Sequence, residues 1–429
     1  MPCPQSDPGM FNKPIGDIDH SETPVLEGDG LARQAQLILT MGRALLTLGT
    51  PAHRLEATMT SIAERLGMSA QFFSTPSALF VALGKNHRQQ TFMMRISQSG
   101  ADFSRLADIT TVIENVADGH GDLQAAVDQV EHILLRPPQY AQWLMLASYV
   151  LVGMPVAFLL GGGWIEAAVG GAAALLVAIL AWAGKHYDGI ARLFVPVSAA
   201  AASFITFSWC AWHGGTALLP ATMAALVTLL PGLDLTIATR ELSTGHLVSG
   251  SSRLASVLLV FATLGFGLAL GGALAKPLFG VPPIIAATAS PLWLLGIAAT
   301  TSTIGFTLLF NAHLRDAPWI LLVVVVSWGS GTLGNMLLGM PLGAFAGGVM
   351  VGLTGNIYAR IMNRPGSILH TPGLLLLVPG SVGFRSLHNL LNADIITGIQ
   401  TAFLAVLTAV ALTVGMIVAS TLIKPRNEL

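Results

Sequence analysis

LLPGLDLTIATRELSTGHLVSG, residues 229–250, interrupts an apolar chain with a proline–glycine pair and a polar run. The pair is Pro231-Gly232, with Asp234, Arg240 and Glu241 close behind it. A second stretch, LVPGSVGFRSLHNLLNADIITG, residues 377–398, lies under the first without a gap and matches it at Leu229, Pro231, Gly232, Leu242 and Gly250. Proline removes a backbone donor and glycine opens backbone angles closed to other residues, so each pair is expected to end or break a helix. Two such breaks at one spacing suggest a chain built twice from one plan.

Composition restricts the class. Of 429 residues, 53% are hydrophobic and 10% charged, with a mean hydropathy of +0.68. Soluble domains carry about a quarter charged residues, so the chain reads as an integral membrane protein. Its 46 glycines and 23 prolines suit packed membrane helices. The net charge of −1 gives no reason to expect nucleic acid. Cys3 and Cys210 lie far apart and suggest neither a disulfide nor a metal site; no cofactor is called for.

Charge is unevenly distributed. Residues 1–28, rich in Pro, Asp, Gly and Ser, are expected to form a disordered tail rather than a signal peptide. Residues 30–138 have the charge density of a soluble protein and are expected to form a cytosolic α/β domain. Ile38, Met41, Leu45 and Leu48 recur at helical spacing, as do Leu55, Met59, Ile62 and Leu66. Gly49 separates the two runs, and Pro51 fits the first turn of the second helix. AQFFSTPSALFVALG and RQQTFMMRIS read as strands broken at Pro76 and at a Gly84–His87 turn. Two further helices follow before residue 138.

Beyond it lie ten apolar segments, at 141–163, 164–183, 193–212, 216–230, 254–275, 284–310, 317–338, 341–361, 367–380 and 397–423. Most approach the ~20 residues that span a bilayer. The fourth and ninth are short, hold proline, and end at Pro-Gly. Ten basic residues flank one set of segment ends, and only Lys276 and Arg385 the other, which places both termini in the cytoplasm. The spacing of the two Pro-Gly stretches lays segments one to five over six to ten. An odd number per half forces opposite insertion, and short Pro/Gly-interrupted spans at matching places mark the substrate site of inverted-repeat transporters. The expected fold is a polytopic α-helical membrane protein of about ten transmembrane helices. They form two inverted five-helix repeats, 139–280 and 281–429, behind the N-terminal α/β domain. An ordinary helix stop would leave the same Pro-Gly mark. Arg240 and Arg253 would then be anchors, and Asp394 only the cap of the last helix.

QLILTMGRALLTLGTPAHRLEATMTSIAERLGM followed by FFSTPSALFVAL resembles the N-terminal signature of the threonine/serine exporter family, at Gly42, Leu45, Gly49, Arg54, Glu56, Gly67, Thr75 and Pro76. PGLDLTIATRELSTGHLVSGSSRL and TPGLLLLVPGSVGFRSL are similar to its two Pro-Gly motifs. The resemblance covers residues 31–423 and implies export of threonine and serine across a bacterial inner membrane by proton antiport. Split two-subunit members of the family are associated with dicarboxylate export, so a succinate-type exporter is the alternative.

A zwitterionic amino acid needs a partner for its carboxylate and another for its ammonium. Helix N-termini at a break offer free N–H groups and partial positive charge. Candidates for the path are Pro231, Gly232, Asp234, Arg240, Glu241, His370, Pro379, Gly380, Arg385 and Asp394. His370 has the ordinary pKa that suits proton coupling. Thr222, Thr228, Asn335 and Asn356 could read the substrate hydroxyl, and Glu166 is expected at the outer interface. A reading of another class is a membrane-anchored hydrolase using His53, Glu56, Ser74, Thr75 or Ser77. No nucleophile elbow, metal-ligand cluster or phosphate loop accompanies them, so a gating module is favoured over an enzyme. A channel lacks the acidic ring or carbonyl filter it would need. The expected partners are a small amino acid, protons and the lipid bilayer, and a homo-oligomer is compatible with the sequence.

Overall fold

The computed structural model of the chain describes residues 29–84, 89–98, 100–119, 122–214, 216–283, 291–377 and 379–424. The expected tail at 1–28, most of the Gly84–His87 turn and the start of the sixth apolar segment lie outside the described residues.

The two runs at helical spacing form α1 (Asp29–Thr47) and α2 (Ala52–Arg65), with Ile38, Met41, Leu45, Leu55, Met59 and Ile62 buried. Gly49 and Gly67 end them in the left-handed region, at φ of +77° and +70°. Three antiparallel strands follow in the order β1 (Ala70–Thr75), β2 (Ala78–Leu83) and β3 (Gln90–Arg95). Ala70 faces Leu83, and Ala78 faces Arg95. At Pro76 the chain turns because the Thr75 hydroxyl accepts the Ala78 N–H at 3.0 Å. Leu79, Val81 and Leu83 alternate inward along β2. A Cβ on Gly42 of α1 would fall 2.6 Å from Leu79 Cδ2, so helix and sheet meet there only because residue 42 has no side chain. Helices α3 (Phe103–Ala117) and α4 (Leu123–Leu135) complete this part, capped by Asp102 and Asp122.

The apolar remainder forms α5 (Gln142–Leu159), α6 (Trp164–Gly184), α7 (Asp188–His213), α8 (Leu218–Leu226), α9 (Gly232–Ser243) and α10 (Leu247–Phe279). Then come α11 (Leu292–Leu309), α12 (Ala317–Leu338), α13 (Met340–Met362), α14 (Ser367–Leu377), α15 (Pro379–Leu391) and α16 (Ile395–Leu422). Eight stretches are long and apolar enough to cross a bilayer, counting α14 and α15 as one 25-residue stretch. The pair α8 and α9 makes a ninth if taken as one span, bent by 54° at the Pro231 break. Trp293–Leu309 is apolar but shorter. The chain is a polytopic α-helical membrane protein.

Close approach at small residues holds the bundle together. A Cβ on Gly267 of α10 would lie 2.5 Å from the Pro196 carbonyl of α7, and one on Gly415 of α16 would lie 2.5 Å from the Phe345 carbonyl of α13. Gly250 abuts Leu242 as Gly398 abuts Leu390. Thr239 of α9 meets Thr413 of α16, oxygen to oxygen, at 2.8 Å, while Leu387 of α15 lies against Gly265 of α10. Each of these pairs recurs, within a residue, at the spacing that separates Pro231 from Pro379.

The N-terminal elements sit on one end of the bundle. Asp102 accepts from the Asn311 amide at 2.8 Å, Glu114 accepts from Asn363 at 2.6 Å, and the Gln139 N–H donates to Asn311 at 3.0 Å. The turns after α11 and α13 therefore lie at that end, and the α12–α13 turn lies at the other.

Candidate functional site

Each Pro-Gly pair lies beside a cavity, and the expected break before Pro379 falls at residue 378, outside the described residues. Beside Pro231 is a volume of about 780 Å³ walled by α5, α6, α11 and α14, with Thr228, Leu230, Leu233 and Asp234 at the break. Asp102, Arg105 and Lys185 lie at its end nearest the N-terminal elements. Beside Pro379 is a volume of about 260 Å³, lined by Trp328, Thr332, Asn335, Ser381 and the exposed Arg385, toward the α12–α13 turn. Leu376, near the end of α14, lines both. Its neighbour Leu375 lines the larger and Leu377 the smaller, so this stretch of α14 lies between the two.

Polar side chains lock the first break. Asp234, exposed in the first turn of α9, accepts from Arg253 Nη1 at 2.9 Å. Arg253 Nε reaches Glu241 Oε2 at 3.4 Å, and the Ser249 hydroxyl donates to the same oxygen at 3.0 Å. Glu241 is wholly buried, and its Oε1 accepts the Ala52 N–H at 3.0 Å. That carboxylate serves as the N-terminal cap of α2, because its lone pairs meet an otherwise unpaired helix donor. Glu56 completes the junction: Oε1 accepts from the Ser74 N–H at 2.7 Å and hydroxyl at 2.8 Å, while Oε2 meets His246 Nε2 at 3.3 Å. The Ser74 hydroxyl thus gives its hydrogen to the Glu56 carboxylate.

Arg240 and His370 gather elsewhere, in a third cavity of about 120 Å³ between the α1–α2 turn, α3, α9 and α14. Arg54 and His53 line it too. Both ring nitrogens of His53, the Thr50 hydroxyl and Arg240 Nε have no hydrogen-bond partner among the described residues. The His370 ring occupies space that a side chain on Gly355 would take. The pKa of His53 is lowered to about 2, by burial first and then by Arg240 and Arg54 nearby. Burial, followed by Arg240, lowers Arg54 to about 9, which leaves it charged at neutral pH.

The remaining expected residues lie apart. Asp394 is exposed and caps α16 through the Thr397 N–H at 3.3 Å. Gly380 is buried at the start of α15, which Pro379 opens. Glu166, expected at the outer interface, is buried and accepts from the Gly163 and Ala217 N–H groups, each at 2.8 Å, joining the starts of α6 and α8. Sequence reasoning missed Leu376, which sits in a run of four leucines. It also missed Asp102 and Arg105; their only signal was an N-cap aspartate three residues ahead of an arginine.

Apolar helices, one pair of them bent at Pro231, with a cavity beside each Pro-Gly pair, define a polytopic helical membrane protein. The chain belongs to the threonine/serine exporter family: a threonine/serine exporter sequence model matches residues 36–275, and one described as Threonine/Serine exporter, ThrE, matches 295–422. It is 26% identical over 390 residues to pheromone-regulated membrane protein 10 of Candida albicans, covering 87% of this chain and 34% of that one. The protein of the same name in Saccharomyces cerevisiae is 25% identical over 399 residues, 85% of this chain and 49% of that one. An uncharacterized Schizosaccharomyces pombe protein is 28% identical over 260 residues, 57% and 33% of the two chains. The chain spans about a third to a half of the length of these relatives. No solved structure matches it.

Proposed function

We propose that the chain exports threonine and serine by exposing a site at the Pro231 break alternately to the two cavities on either side of Leu376. The observation that carries this reading is that each Pro-Gly pair lies beside a cavity and that Leu376 lines both. The larger cavity offers both signs of charge, Asp102 and Asp234 with Arg105 and Lys185, which suits a zwitterion. Free N–H groups at the start of α9 face the substrate carboxylate. Asp234 takes the ammonium, and Arg253 falls back on Glu241. A proton moving inward is exchanged for an amino acid moving outward.

The same helix order in α5–α10 and α11–α16, and the recurring Gly250/Gly398 and Thr239–Thr413/Leu387–Gly265 contacts, support two inverted repeats of five spans each. All ten spans then cross the bilayer, with the N-terminal elements on the cytoplasmic side that the basic residues indicate. Those elements act as a docked gate rather than an enzyme. Cells loaded with a threonine-containing dipeptide should lose free threonine faster when the protein is present, and a protonophore should abolish the excess. Unchanged threonine loss with faster succinate loss would move the assignment to dicarboxylates.

A further inference from the structure

The third cavity has a charge that no amino acid matches. Arg54 and Arg240 line it with His53 and His370, and no carboxylate does. The two acids nearest Arg240 on α9 are engaged elsewhere: Asp234 with Arg253, and Glu241 with Ala52, Ser249 and Arg253. Neither Arg54 nor Arg240 has an acidic partner among the described residues. Buried cations without a counter-charge are costly, and two side by side more so. The lowered pKa of Arg54 reports that cost. Unpaired polar groups gather here too, since the Thr50 hydroxyl, Arg240 Nε and both ring nitrogens of His53 have no partner among the described residues. Between these polar groups the wall is apolar, from Leu45, Leu48, Phe103, Leu233 and Leu374.

We propose that this cavity binds a small organic anion with no cationic group, a carboxylate with a short aliphatic body. Arg54 and Arg240 hold the carboxylate, Thr50, His53 and His370 supply further hydrogen bonds, and the leucines enclose the body. At about 120 Å³ the space is smaller than the roughly 150 Å³ that takes the six carbons of benzene, which fits an acid of about five non-hydrogen atoms. The site lies where α2 of the N-terminal part meets α9 and α14 of the membrane part, so an occupant bridges Arg54 on one to Arg240 on the other. The anion thereby clamps the two parts together and lets its cytosolic concentration set how firmly the gate is docked. None of this depends on which substrate is carried.

Isothermal titration of the purified full-length protein, at constant ionic strength, tests the site with propionate, inorganic phosphate and threonine. One propionate should bind per chain, with phosphate and threonine at least tenfold weaker. Arg54→Gln and Arg240→Gln should each weaken propionate at least tenfold, and Arg54→Lys and Arg240→Lys should weaken it less. Propionate should also slow hydrogen exchange across residues 50–56. Absence of saturable propionate binding to the wild-type protein overturns the site whatever the variants do. So does equal binding of threonine, or unchanged affinity in both glutamine variants that remain monodisperse. Phosphate binding tighter than propionate would overturn the organic body.

Discussion

The backbone N–H of Ala52, in the first turn of α2, donates to the carboxylate of Glu241 on α9 at 3.0 Å. A buried acid just beyond a membrane helix break thus caps a helix of the N-terminal part. The same carboxylate holds Ser249 and Arg253, so the break, the α9–α10 turn and the docked part share one electrostatic centre. Any motion of α9 at Pro231 is felt at α2.

Removing that acid should undock the N-terminal part. Glu241→Ala leaves Arg253 with Asp234 alone and α2 uncapped, a loss of about 3–5 kcal/mol for a broken buried pair. Thermal unfolding of the purified variant should shift down, and hydrogen exchange at residues 50–56 should speed up. Unchanged exchange there would mean that the contact does not hold the junction.

His53 should make the junction sensitive to acid. It is neutral when folded, with its pKa lowered to about 2, whereas the unfolded chain titrates near 6.5. Below 6.5 the unfolded state binds more protons, so stability falls as pH drops through the window from 6.5 toward 2. Between pH 7 and 5 the wild-type protein should lose more thermal stability than His53→Gln. Parallel losses would contradict the buried, neutral histidine.

Leu376 separates the two cavities, so its size should set the leak. In reconstituted vesicles Leu376→Ala should let threonine pass down its own gradient without a proton gradient, while Leu376→Trp should block passage with the protein still folded. Wild-type behaviour in both would remove the septum from the mechanism.

The helix crossings at Gly267 and Gly415 leave no room for a side chain. Leucine at either position should cost about 1–3 kcal/mol or more through overpacking, and should lower the amount of folded protein in the membrane. Equal losses at the two sites are expected, since the crossings share one geometry. Normal accumulation and melting of both variants would refute that packing.

Much of this was legible in the sequence because period and punctuation are local. The spacing of Ile38, Met41 and Leu45, the turn at Pro76 and the break at Pro231 each depend on neighbours a few residues away. Segment ends were less legible where charge is buried. Arg253 was read as lying outside the fifth apolar segment, yet α10 begins at Leu247 because Asp234 and Glu241 neutralise that arginine. Glu241 was read as a path residue, and its bond to Ala52, far away in sequence, carried no local signal. Arg54, Arg240 and His370 come from three separated helices, and no periodicity could bring them together. Leu376 is chemically the same as its three leucine neighbours, and only the cavities on either side of it single it out.

The most direct measurement is efflux of labelled threonine from proteoliposomes holding the purified protein, with an outside-acid proton gradient imposed. Threonine should leave faster than from protein-free vesicles, unlabelled serine inside should compete, and Leu376→Trp should return the rate to background. Threonine efflux equal to that of empty vesicles under the gradient, from protein that is folded and correctly inserted, would contradict the account.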